Sequence, residues 1–166
     1  MKIYIAGPDV FKQESIAIGK KLSYLCEQYN HTGLYPLDNI VDFDQRKQKI
    51  AMDIFKANQS LINDCDIVIA DLNSFRGLEA DDGTVWEIGY AIGLGKKVYC
   101  YMDNTSDYIS KFPIEDKFYV GDKTIDKDSL DIEDFGLPIN LMIACSVEKI
   151  IKGNFEDTLK YITEEK

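Results

Sequence analysis

Asp66-Ile67-Val68-Ile69-Ala70-Asp71 is a short run of uninterrupted apolar residues closed at both ends by aspartate. A strand with one wet face alternates polar and apolar residues, whereas a parallel strand covered on both faces is apolar throughout, so this run predicts a central parallel strand. Arg76-Gly77-Leu78-Glu79-Ala80-Asp81-Asp82-Gly83-Thr84-Val85-Trp86-Glu87-Ile88-Gly89-Tyr90 follows it and leads into a helix. Glu87 lies in the first turns of that helix, where the helix dipole is expected to favour its ionised form, and Asp81 stands six residues earlier in the loop.

Working outward, Lys2–Ala6 reads as a first strand broken by Gly7-Pro8-Asp9. Ile18, Leu22, Leu25, Cys26 and Tyr29 then recur at helical spacing and predict a helix over Phe11–Tyr29. Leu34–Leu37 reads as a second strand with Asp38 and Asn39 at its carboxyl end. Ile50, Ile54, Ala57 and Leu61 predict a helix over Asp44–Asn63, with the amide of Asn58 beside the stripe and in need of a partner. The helix over Gly83–Gly95 is expected to turn Val85, Ile88, Gly89 and Ile92 inward, with Gly89 and Gly93 allowing close approach to the sheet. Lys97–Met102 is a strand that alternates Val98, Cys100 and Met102 against Tyr99 and Tyr101. Periodicity fails over Asp103–Phe135, a length that is usually functional or partly mobile. Val147–Ile151 reads as the last strand, and Asn154 as the cap of a terminal helix carrying Phe155, Leu159 and Ile162. Strands alternating with helices imply an α/β sandwich around a mostly parallel sheet of about five strands.

The 166 residues are expected to form one domain, 1–166. Nineteen basic against 29 acidic residues leave a net charge of −10, which argues against a nucleic-acid partner, since such proteins cluster Lys and Arg against phosphates. No run approaches the ~18 apolar residues of a membrane span, and the strand after Met1-Lys2 is too short for a signal segment, so a cytoplasmic location without a membrane partner is expected. Cys26, Cys65, Cys100 and Cys145 form no CxxC and lie among apolar neighbours, which predicts buried reduced thiols and no metal site.

In an open parallel sheet, ligands bind beyond the carboxyl ends of the strands. That edge gathers Gly7, Pro8, Asp9, Asp38, Asn39, Asp71, Asp81 and Glu87, with Tyr4 within reach if its phenol faces the cleft. Each has a structural alternative: Glu87 as an acid complementing the dipole, Asp81 or Asp82 as an N-cap, Asn58 as a satisfied core amide, Tyr4 as a core aromatic, Asp71 as a loop cap. Their convergence on one edge favours a site. GxGxxG, GxxxxGK[ST] and HExxH are all missing, and the lone His31 lies in a turn. Carboxylates remain, and a pair of them with one ionised as nucleophile is the pattern of retaining glycosyl transfer.

Three blocks in this order resemble the nucleoside 2-deoxyribosyltransferase family: Ile3-Tyr4-Ile5-Ala6-Gly7-Pro8-Asp9-Val10-Phe11; Ala70-Asp71-Leu72 with Phe75-Arg76-Gly77 and Asp81 through Ala91; and Gly136-Leu137-Pro138-Ile139-Asn140-Leu141-Met142. The resemblance implies a flavodoxin-like fold, exchange of nucleobases on 2′-deoxyribose by double displacement, and a role in nucleoside salvage. By position it makes Glu87 the nucleophile on C1′, Tyr4 the tyrosine bonded to that carboxylate, and Asp81 the acid at the base. It makes Asn140 a residue lent to a neighbouring subunit's site to hold the sugar hydroxyls, with Met142 close by, and Phe11 an aromatic near the base. Gly7, Asp38, Asn58, Asp71 and Gly83 complete the expected substrate-binding set. The partners implied are small 2′-deoxynucleosides and free bases, in a dimer-based homo-oligomer, often a hexamer in the family, with no cofactor. Some members carry an aspartate where Asn58 stands and a base-contacting glutamine where Ile40 stands, which leaves purine against pyrimidine selectivity open. The tail Thr163-Glu164-Glu165-Lys166 lacks the terminal tyrosine that closes the site in some members.

Two other readings differ in outcome. A hydrolase of 2′-deoxynucleosides or their 5′-monophosphates would use water as acceptor, yet a 5′-phosphate calls for serine- or arginine-rich donors near Gly7–Phe11, where only Lys12 stands. A non-catalytic nucleoside-binding module would bind without turnover.

Overall fold

A computed structural model describes residues 1–38 and 42–164. Asn39 and Ile40 of the second-strand turn and Glu165-Lys166 of the tail, all named above, lie outside the described residues. In chain order the strands are β1 (Lys2–Ala6), β2 (Thr32–Leu34), β3 (Ile67–Asp71), β4 (Lys97–Met102), β5 (Phe118–Val120), β6 (Lys123–Ile125) and β7 (Lys149–Lys152). The α-helices are α1 (Ser15–Gln28), α2 (Lys47–Asp64), α3 (Asp82–Gly93), α4 (Leu141–Ala144) and α5 (Phe155–Glu164). Five strands form one parallel sheet in the order β2-β1-β3-β4-β7, which is the flavodoxin-like order, with a switch point between β1 and β3.

Alternation along the strands divides the core into two layers. Tyr4, Ala6, Val68, Ala70, Val98, Cys100 and Met102 face α2 and α3, where Ile62, Ile88 and Ala91 meet them. Ile3, Ile5, Ile67, Ile69, Tyr99 and Tyr101 face α1 and α5, against Leu22, Cys26, Phe155, Leu159 and Ile162. All five residues of β3 are buried, as its apolar run requires, and each such aliphatic side chain contributes roughly 1.5–3 kcal/mol on leaving water. Asn154 caps α5 as expected: its Oδ1 accepts from the amides of Glu156 (2.9 Å) and Asp157 (3.2 Å), and Asp157 Oδ2 returns the bond to the Asn154 amide (3.0 Å).

Several boundaries differ from the sequence reading for local reasons. The second strand is Thr32–Leu34 rather than Leu34–Leu37, because Pro36 has no N–H to continue a ladder; Pro36–Asp38 instead forms a 3₁₀ turn. The first helix starts at Ser15 because Pro8–Phe11 is a separate 3₁₀ helix that ends in extended backbone at Lys12. On α3 the buried residues are Thr84, Ile88 and Ala91, whereas Gly89 and Gly93 are exposed with no neighbour near, so neither glycine brings the helix to the sheet. On α2 only Ile62 is buried; Ile54, in the predicted apolar stripe, is exposed. Cys145 is exposed, unlike Cys26, Cys65 and Cys100, and all four thiols are free.

The stretch without periodicity contains short elements of its own. It holds two 3₁₀ helices, Tyr108–Lys111 and Ile114–Asp116, and the antiparallel hairpin β5–β6. Among the described residues, no helix is long and apolar enough to cross a membrane.

Candidate active site

The site begins where β1 ends. Gly7 leaves the strand at φ 157°, and a Cβ there would stand 3.0 Å from Cβ of Asp71, so the next residues turn tightly over the end of β3. Pro8–Phe11 follows and carries the Phe11 ring out over the sheet edge.

The second wall is the start of α3. Asp81 is its N-cap: the side-chain Oδ2 accepts from the Thr84 amide at 2.9 Å and from the Thr84 hydroxyl at 3.0 Å. This anchors the first turn while Thr84 and Ile88 bury against the sheet. Glu87, three residues after Thr84 and one before Ile88, is thereby held at the border between the buried face and the cleft. Tyr4 points to the same layer from the neighbouring strand, fully buried, and its hydroxyl donates to Glu87 Oε1 at 2.5 Å.

Burial is the main influence on Glu87 and pushes its pKa up to about 7; the Tyr4 hydrogen bond opposes the rise, and the charge of Asp81 adds to it. The helix dipole does not prevail as expected from the sequence, because Glu87 is the sixth residue of α3, beyond the first turn where the dipole acts strongly. The Tyr4 phenol is itself raised well above its ordinary value, by burial and then by Glu87, so it remains a donor near neutral pH.

These groups open on a cavity of about 500 Å³, in the range of small-molecule sites. Glu87, Asp81, Gly83, Thr84 and Gly7 line one part; Phe11, Val10, Pro36, Leu37, Phe43, Ile54 and Ala57 give it an apolar wall suited to a flat ring. Asn58 also lines it, and among the described residues its buried Oδ1 has no hydrogen-bond partner, which leaves an acceptor for a ligand. The exposed Ile54 of α2 is thus a cavity residue. Behind Phe11, the Phe75 ring stacks at 5.2 Å, and the Arg76 guanidinium lies over both rings, 4.7 Å from Phe75 and 5.5 Å from Phe11. Arg76 adopts φ +54°, rare for a non-glycine residue. Sequence reasoning misses this stack, since no spacing rule links residues 11 and 75.

Tyr4, Gly7, Phe11, Asn58, Asp81, Gly83 and Glu87 therefore meet at one place. Asp38 and Asp71 do not line the cavity. Asp38 is exposed and accepts from the Tyr35 amide at 3.1 Å. Asp71 is buried beside Gly7, accepts from the Asn73 backbone and side-chain amides at 2.8 Å each, and has its pKa raised chiefly by burial. Asn140 and Met142 lie on a different cavity, of about 710 Å³, shared with Glu79, Asp82 and Glu133. Among the described residues, no cluster of three or more His, Cys, Asp or Glu side chains is arranged to hold a metal.

A parallel α/β sheet with the Tyr4–Glu87 pair and Asp81 at its carboxyl edge fits a glycosyl-transferring enzyme. The chain belongs to the nucleoside 2-deoxyribosyltransferase family, whose model matches residues 3–142. It is similar to the 2-desoxiribosyltransferase from Leishmania mexicana at 33% identity, with 98% of this chain and 97% of that chain covered and a TM-score of 0.79. It shares its fold with the 2-deoxyribosyltransferase of Bacillus psychrosaccharolyticus at 24% identity and TM-score 0.62, with 97% and 92% covered. An uncharacterized protein of Schizosaccharomyces pombe is 28% identical over 112 residues, a match that takes in 66% of this chain and about half (53%) of that protein.

Proposed function

We propose that this protein exchanges nucleobases on 2′-deoxyribonucleosides through a covalent deoxyribosyl ester on Glu87, and that it serves nucleoside salvage. The observation that carries this reading is the Tyr4–Glu87 hydrogen bond of 2.5 Å on the wall of a cavity that Asp81 also lines. With Tyr4 on Oε1, Oε2 is the oxygen left to attack C1′. The C1′–N bond breaks as the C1′–O bond forms, and the departing base nitrogen takes a proton from water relayed through Asp81. A second base then enters, gives its proton back through Asp81 and displaces the ester, so configuration at C1′ is retained. A carboxylate poised near neutrality suits both halves: ionised it attacks, and as an ester it leaves.

The apolar wall with Phe11 suits the base, and the unpartnered Asn58 Oδ1 suits a donor on its edge. Asn140 completes the sugar end in this reading, donated by a neighbouring copy in a homo-oligomer; its place on a cavity other than the one Glu87 lines supports that role. No cofactor enters the scheme, because the ester conserves the glycosyl bond's energy.

The test is chromatography of deoxyinosine with adenine and enzyme. Deoxyadenosine is the expected product. Free deoxyribose as the sole sugar product, with or without adenine, would make the protein a hydrolase, and bound nucleoside without turnover would make it a binding module.

A further inference from the structure

The segment 104–135 holds the loop that carries Asn140, and it does so at three points. The Tyr108 amide donates to the Leu137 carbonyl at 2.7 Å, and Lys111 Nζ donates to the Pro138 carbonyl at 2.5 Å. At the third point Glu133 uses both carboxylate oxygens: Oε1 accepts from Asn140 Nδ2 at 2.6 Å, and Oε2 accepts from the Leu141 amide at 3.0 Å. Glu133 is itself fixed from behind, since its neighbour Ile132 is buried and donates to the Thr124 carbonyl of β6 at 2.9 Å.

The Asn140 amide is therefore oriented from both ends. Its Oδ1 accepts from the Met142 amide at 3.0 Å, which caps α4, and its Nδ2 is committed to Glu133. One N–H and one lone pair remain for a ligand, and their direction is set. The bond to the Leu141 amide steadies the loop, whereas the bond to Nδ2 acts on the Asn140 side chain itself. A charge-assisted bond at this length is strong enough to hold the half-buried Asn140 amide in one rotamer.

We infer that Glu133 is a positioning residue that fixes the Asn140 amide for recognition of the deoxyribose hydroxyls. This deepens the function proposed above and rests on Asn140 serving the sugar. The long irregular segment thereby acquires a purpose, since the β5–β6 hairpin and its return strand bring Glu133 to the loop.

The experiment compares base exchange on 2′-deoxyinosine and on its analogues lacking the 3′- or the 5′-hydroxyl, 2′,3′-dideoxyinosine and 2′,5′-dideoxyinosine, for the parent, Asn140→Ala, Glu133→Ala, Glu133→Gln and the double variant Glu133→Ala/Asn140→Ala. A ratio of kcat/KM between two sugars is insensitive to the fraction of folded enzyme. Asn140→Ala is expected to reduce the preference for the hydroxylated sugar by about tenfold or more, the worth of one hydrogen bond to a buried partner. Glu133→Ala is expected to reduce it to a similar extent, chiefly through KM, and the double variant to be no worse than either single one. Glu133→Gln, which retains a carbonyl oxygen for Nδ2, is expected to recover part of the preference. An unchanged preference in Glu133→Ala while Asn140→Ala loses it would overturn the positioning role alone. An unchanged preference in Asn140→Ala would remove the role of Asn140 and this inference with it, while exchange through Glu87 stood untouched.

Discussion

The phenol of Tyr4, at the middle of β1, donates to Glu87 Oε1 of α3 across 83 residues of sequence at 2.5 Å. The bond ties β1, an inner strand of the parallel sheet, to the helix that carries the site. It fixes one carboxylate oxygen, and it is the main influence opposing the rise in Glu87 pKa that burial causes.

The pH dependence of exchange follows from that balance. Glu87 attacks only when ionised, so kcat/KM is expected to rise with pH through an apparent pKa of about 7. Tyr4→Phe removes the hydrogen bond that lowers the pKa, so the rising limb should move to higher pH, with the rate at pH 6 falling more than the rate at pH 8. A pH profile of both proteins checks this, and a limb that stayed in place would mean another group controls ionisation.

Stability should show the same group with a determinate sign. The folded pKa of Glu87 is about 7 against an ordinary 4.5, so between those values the folded chain keeps a proton that the unfolded chain has lost, and stability falls as pH rises through the window. The loss is on the order of 3 kcal/mol above pH 7. Glu87→Gln, inactive in exchange, is expected to be more stable than the parent at pH 8 by about that amount, with the gap closing towards pH 4.5. Urea denaturation at the two pH values measures it.

Asp81 carries two roles that one pair of variants separates. Its Oδ2 caps α3 through Thr84, while the residue also lines the cavity. Asp81→Ala should lose about 0.5–2 kcal/mol of stability along with activity. Asp81→Asn keeps an acceptor for the cap but cannot relay a proton, so stability should hold while kcat falls by roughly 10²–10⁴. Its missing charge should also shift the Glu87 limb to lower pH, since Asp81 raises that pKa.

Gly7 is the residue whose replacement should disturb the site without touching its chemistry. At φ 157° and with 3.0 Å between a new Cβ and Cβ of Asp71, Gly7→Ala forces the turn after β1 outward and shifts Phe11. A loss of more than about 1 kcal/mol is expected, with KM for the nucleoside rising more than kcat falls. Thermal denaturation and steady-state kinetics test the two parts separately.

Much of the fold is readable in the sequence because burial on both faces leaves a plain mark. The run in β3 and the alternation in β4 sort their residues into the two core layers that form. Pro36 marks the end of β2 by its missing N–H, yet the expected strand runs through it. Gly89 and Gly93 mislead because glycine spacing alone does not say which face of a helix meets a sheet; Thr84 and Ala91 lie there instead. The convergence of Tyr4, Asp81 and Glu87 is accessible through strand and helix geometry. The grip of Glu133 on Asn140, seven residues apart in an aperiodic stretch, and the stacking of Phe75 on Phe11 depend on loop paths that carry no period.

The most direct measurement of the central claim is the mass of the Glu87 peptide after the enzyme is mixed with deoxyinosine and quenched in acid. One added deoxyribosyl group on that peptide is predicted, missing in Glu87→Ala, and discharged as deoxyadenosine when adenine is supplied before the quench. Full base exchange with the adduct on another residue, or exchange undiminished in Glu87→Ala, would contradict it.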